Sequence, residues 1–278
     1  MTRLAGLLCL ALLVAVPAWA GDAMAIVAAE NFYGDVARQI AGPEVRVTSI
    51  LSNPDQDPHL FEASPSTARA LSGADLVIYN GADYDPWMAK LLAAGRSSRR
   101  RIIVVADLLH RRTGINPHLW YDPETMPAVA RAIAAELPGA GPRLQAFLAS
   151  LQPIDAKIAQ MRKAYAGIPV TATEPVFGYM AAALGLTMRN ERFQLAVMNN
   201  TEPSAGDTAA FERDLQTHSV RVLIYNSQAT DSSALRLMHL AETAKIPVVG
   251  VTETEPAGKT YQEWMLGELE ALDRALAQ

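Results

Sequence analysis

Short apolar runs rich in Val, Ile and Leu alternate along the chain with longer segments whose apolar positions return every third or fourth residue. The runs read as strands and the longer segments as helices, so the alternation predicts an α/β fold with mainly parallel strands. In the first half the pattern places strands at 25–29, 45–51, 76–80 and 102–106, and helices at 32–40, 65–71, 86–94 and 123–136. Ser64-Pro65 and Asp122-Pro123 each set a capping side chain before a proline at the first helical position.

The run Pro138-Gly139-Ala140-Gly141-Pro142 interrupts the alternation. A long helical stretch follows over 143–165, with Leu144, Phe147, Leu148, Leu151, Ile154, Ile158 and Met161 at helical spacing. Pro153 within it predicts a kink or a break. The alternation then resumes, with strands expected at 169–173, 220–225 and 247–251, and helices at 176–184, 208–217, 233–243 and 261–277. The expected organisation is a signal peptide over 1–20, a first lobe over 21–141, a linker helix over 142–166 and a second lobe over 167–278. Each lobe would hold a mainly parallel sheet flanked by helices, with the long rigid helix joining them.

Composition narrows the function. The chain has 278 residues, half of them hydrophobic, which suits a large packed core and excludes general disorder. A formal charge of -5 argues against a nucleic-acid surface. Arg3, the apolar stretch 4–16 and Pro17-Ala18-Trp19-Ala20 have the form of a cleaved secretory signal. The single cysteine, Cys9, lies inside that apolar stretch and not at its end, where a lipoprotein would need it. The mature chain is then free of cysteine, so a metal site must use His, Asp and Glu. An exported, unanchored protein of this size fits a bacterial periplasm.

Two segments nearly repeat each other: Asp57-Pro58-His59-Leu60-Phe61 and Asn116-Pro117-His118-Leu119-Trp120. Each holds a histidine behind a proline, and proline stiffens the approach to a side chain that must be oriented to bind metal. In open α/β sheets ligands bind beyond the carboxyl ends of the strands. His59 and His118 each follow a predicted strand by a loop, whereas Glu174 and Glu253 directly end predicted strands. Two imidazoles from one lobe and two carboxylates from the other suit a divalent transition metal. Glu255 in Thr252-Glu253-Thr254-Glu255 rivals Glu253, and Asp83 and Asp85 offer further acidity at another strand end. His110, His218 and His239 read as structural or solvated, and Phe61 and Trp120 as walls of the site.

These motifs, with 72–81 (Ser-Gly-Ala-Asp-Leu-Val-Ile-Tyr-Asn-Gly) and Thr173-Glu174-Pro175-Val176-Phe177-Gly178-Tyr179, resemble the metal-binding solute-binding proteins of bacterial ABC transporters, the zinc and manganese receptor group. The resemblance covers nearly the whole mature chain. It implies two lobes joined by a long rigid helix, with metal held between them and delivered to a membrane permease. His59 and His118 match the two first-lobe histidines. Glu174 matches a third position that is usually His in zinc-type members and Glu in manganese-type members. Glu253 matches a fourth that is usually Asp, so the arm is longer here. The His- and acid-rich loop of many zinc members is absent.

The resulting expectation is a monomeric, non-catalytic periplasmic receptor whose cargo is one Mn2+ or Zn2+ and whose partner is an ABC permease. Carboxylates favour manganese more than an all-imidazole set does, while intrinsic affinity favours zinc. The alternative is an exported metallohydrolase using the same residues. Against it, the chain carries neither HExxH nor GxSxG.

Overall fold

A computed structural model describes residues 24–53, 61–228 and 232–278. The first lobe runs β1 (Ala25–Glu30), α1 (Asn31–Ala41), β2 (Arg46–Leu51), α2 (Pro65–Ser72), β3 (Leu76–Tyr79), α3 (Pro86–Ala94), β4 (Arg101–Val104), α4 (Val105–Leu108) and α5 (Thr125–Glu136). All six residues of β1 are buried, as expected of a strand covered on both faces. It lies inside a four-stranded parallel sheet of order β2-β1-β3-β4. The chain moves one way from β1 to β2 and the other way to β3, so the crevice of this sheet opens beyond the carboxyl ends of β1 and β3.

The second lobe repeats the plan. It contains β5 (Pro169–Ala172), α8 (Gly178–Ala183), β6 (Thr187–Arg189), α9 (Glu191–Met198), α10 (Ala205–Gln216), β7 (Leu223–Asn226), α11 (Ser232–Thr243), β8 (Val248–Val251) and α12 (Tyr261–Leu276). Its parallel sheet has the order β6-β5-β7-β8, and its crevice opens beyond β5 and β7.

Three local differences from the sequence expectation have clear causes. β4 stops at Val104, because buried Val105 and Ala106 turn into α4 instead of extending the strand. β6 and α9 were not anticipated: β6 is a three-residue edge strand with exposed ends and shows no apolar run. The stretch 143–165 is two helices, α6 (Gly141–Ser150) and α7 (Gln152–Tyr165), separated at Leu151. Pro153 sits in the first turn of α7, where its missing N–H costs nothing. α6 packs on α1 and α5, and α7 packs on α12.

One hydrophobic core runs through both lobes, from Ile26, Ile78 and Val129 to Val170, Ile224, Val251 and Trp264. Aromatic rings bridge it at the junction. Phe32 lies 4.6 Å from Trp120, and Tyr121 lies 5.3 Å from Phe177 and 5.8 Å from Trp264. Hydrogen bonds add to this seam: Asn31 on α1 donates to the Glu255 carbonyl at 2.7 Å and accepts from its N–H at 3.0 Å. Among the described residues no helix is long and apolar enough to cross a membrane.

Candidate metal centre

His118 follows Pro117 and precedes a single 3-10 turn, Leu119–Tyr121. It is 1% exposed, and its ring is packed edge-on against Trp120 at 5.2 Å. The Asn116 side-chain oxygen accepts from the His118 backbone N–H at 3.1 Å and lies 2.6 Å from Nδ1. The Asn116 amide nitrogen donates to the Pro175 carbonyl at 2.7 Å, which fixes the orientation of that side chain. Because the oxygen therefore faces the ring, Nδ1 is the nitrogen that donates to it, and Nε2 is left as the ring nitrogen turned toward the site. Gly178 makes the arrangement possible: a Cβ there would stand 2.9 Å from the Asn116 amide nitrogen.

Nε2 points into the second lobe, where it lies 3.5 Å from Oε2 of Glu253. Glu253 is 1% exposed. Its backbone N–H and that of Thr254 both donate to the Gln228 side-chain oxygen, at 2.6 and 2.9 Å. Tyr84, from the loop after β3, donates its hydroxyl to the same Oε2 at 3.1 Å. Burial first, and then the Glu253 charge, hold the Tyr84 phenol well above its ordinary value, so it stays protonated and can donate. Glu174 follows β5 and is half-buried; its Oε2 accepts from Asn226 at 2.6 Å. Asn226 also donates to Oε1 of Glu253, at 2.5 Å.

The structure thus brings His118, Glu174 and Glu253 to one place where the crevices of the two sheets face each other. His59 lies outside the described residues, as do 1–20. Among the described residues, no closed set of three or more His, Cys, Asp or Glu side chains stands ready to grip an ion. Instead Asn226 spans the two carboxylates and Tyr84 occupies the near oxygen of Glu253. Glu255 faces α1 and not His118, and burial raises its carboxyl to about 9. His110, His218 and His239 are exposed, unlike the buried His118. Trp120 does wall His118, whereas Phe61 stacks on Trp87 at 4.4 Å.

Beneath the site lies a second pair of carboxyls. Glu30 ends β1 and is fully buried, and Asp85 is 1% exposed. Asp85 accepts from the N–H groups of Asn80 and Gly81 at 2.7 and 2.8 Å, holding a turn in which Gly81, Ala82 and Asp83 all have positive φ. Burial raises Asp85 to about 6, and burial together with the neighbouring Asp85 raises Glu30 far above its ordinary value. Glu30 thus keeps its proton beside Asp85. Sequence reasoning passed over Glu30, although the strand-end rule that singled out Glu174 and Glu253 applies to it equally. Asn226 and Asn116 left no comparable signal, because amides carry no charge and are common in turns.

A model of the family described as zinc-uptake complex component A, periplasmic (ZnuA), matches residues 26–275. The chain belongs to this family. Among curated proteins it is 28% identical over 199 residues to the zinc-binding protein TroA of Treponema pallidum, covering 66% of this chain and 63% of that one. It is 23% identical over 192 residues to the manganese ABC transporter substrate-binding lipoprotein PsaA of Streptococcus anginosus, covering 61% of this chain and 62% of that one. In three dimensions it resembles the periplasmic zinc-binding protein TroA of Treponema pallidum, with a TM-score of 0.76, 20% identity, and 92% and 99% of the two chains covered. A manganese-bound periplasmic metal-binding protein of Candidatus Liberibacter asiaticus follows at TM-score 0.73, 16% identity, and 91% and 99% coverage. Both solved structures share the two-lobe α/β fold. The names of these relatives give zinc in one case and manganese in others, so membership of the family does not by itself choose the metal.

Proposed function

We propose that this protein captures one divalent transition metal ion, manganese or zinc, between its two lobes and hands it to an ABC transporter permease for import. One observation carries the reading most: Nε2 of His118 and Oε2 of Glu253 face each other at 3.5 Å from opposite lobes, with Nδ1 already committed to Asn116. Two electron-pair donors held at that distance in a buried site suit a cation between them. His118 and Glu253 would each supply one ligand, Glu174 a second oxygen and His59 a second nitrogen. Four protein ligands leave little room for a substrate, which favours a receptor over a hydrolase that keeps an open metal position. The signal-like N-terminus and the family of periplasmic receptors support a periplasmic location.

Elemental analysis of the protein purified from its native compartment, paired with competitive zinc and manganese titration, tests the proposal. One equivalent of zinc or manganese is expected. Protein that is metal-free and binds neither ion would overturn it.

A further inference from the structure

Asn226 ends β7, between the strand ends that carry Glu174 and Glu253. It is 2% exposed, and every polar group of its side chain is engaged. The carbonyl oxygen accepts the N–H of Gln228 at 3.0 Å, which turns the amide nitrogen toward the site. That nitrogen has two hydrogens, and it donates to Oε2 of Glu174 at 2.6 Å and to Oε1 of Glu253 at 2.5 Å. The backbone N–H of Asn226 is tied to the Thr173 hydroxyl at 3.3 Å, so the donor cannot easily shift along the strand. The Glu253 oxygen that faces His118 and Tyr84 is the other one, Oε2.

Resting on the metal-receptor reading, we propose that Asn226 is a specificity-determining positioning residue: by holding one oxygen of each carboxylate, it restricts Glu174 and Glu253 to binding metal through a single oxygen. A carboxylate can supply one oxygen or two, and that choice sets the coordination number. Holding each carboxylate to one oxygen keeps the coordination number low, which zinc accepts readily. Manganese favours six ligands and more oxygen. Asn226 therefore tilts a ligand set that would otherwise suit manganese toward zinc. A neutral amide does this without adding charge, unlike a lysine or arginine at the same place, which would repel the incoming cation.

The test compares the wild type, N226A, N226L and His118→Ala in competitive titrations with Zn2+ and Mn2+, with zinc X-ray absorption of the loaded proteins. N226L keeps the volume of the side chain and N226A removes it, and circular dichroism confirms folding. Removing the amide is expected to shift the zinc-to-manganese affinity ratio by about tenfold toward manganese. The zinc shell is expected to take one oxygen from each carboxylate in the wild type and to gain oxygen ligands in the variants. An unchanged ratio in both variants, or a wild-type zinc shell with carboxylates bound through both oxygens, overturns the role of Asn226 while leaving the receptor reading intact. A wild type that binds neither metal, or a His118→Ala variant that binds both as tightly as the wild type, overturns the receptor reading itself and this inference with it.

Discussion

The Tyr84 hydroxyl donates to Oε2 of Glu253 at 3.1 Å, joining a first-lobe loop to a second-lobe strand end. The oxygen it holds is the one nearest His118. Replacing Tyr84 with Phe keeps the ring that packs on His118 and Trp120 but removes the donor. A buried carboxylate that loses a hydrogen bond costs about 1–3 kcal/mol. Tyr84→Phe should therefore lower the stability of the metal-free protein by that order. The loss should be smaller with zinc bound, because the ion then offsets the charge. Urea unfolding with and without zinc measures both; equal losses in the two states would refute this role for the hydroxyl.

Asn116 sets the tautomer of His118, and Gly178 leaves room for Asn116. Removal of such an outer partner of a metal ligand typically costs 10–100-fold in affinity. Asn116→Ala should thus weaken zinc binding by about 10–100-fold. Gly178→Ala should act in the same direction through the displaced Asn116, without removing any ligand. Calorimetric titration is the check, and a Gly178→Ala variant with wild-type affinity would show that Asn116 tolerates the added methyl.

Burial pushes Glu30 far above its ordinary carboxyl value, while Asp85 beside it rises to about 6. The sign of the linkage follows directly. A carboxyl whose folded value is raised binds its proton more tightly when folded, so its contribution is complete at low pH and is lost as pH rises toward the folded value. For Asp85, moving from an ordinary 3.8 to about 6 corresponds to about 3 kcal/mol lost across that window. Tyr33 and Tyr84 face the same pair and stay neutral throughout, since both are raised as well. Glu30→Gln imitates the protonated acid. It should leave stability unchanged near pH 4 and raise it at pH 8. Denaturant unfolding across that range measures the difference, and a uniform loss at every pH would contradict the account.

Much of this arrangement was legible in the sequence for physical reasons. Proline before His118 and Glu174 at the end of β5 are local signals, and the strand-end rule converts them into a place in three dimensions. The apolar run of β1 and the alternation with helices likewise fixed the fold class. What escaped was the part that depends on contacts between distant residues. Asn226 meets Glu174 at a separation of 52 positions, and Tyr84 meets Glu253 at 169. No spacing pattern encodes such pairs. The break between α6 and α7 was anticipated at Pro153 only as one of two outcomes, because a proline can bend a helix or begin a new one. β6 was missed because an exposed three-residue strand has no apolar period to detect.

The claim that His118 and Glu253 form the two faces of one metal site is tested most directly by calorimetric titration of zinc into the wild type and His118→Ala. The account predicts one high-affinity site per chain in the wild type, weakened by about 100-fold or more in the variant, with the fold retained. Wild-type affinity in His118→Ala would contradict it.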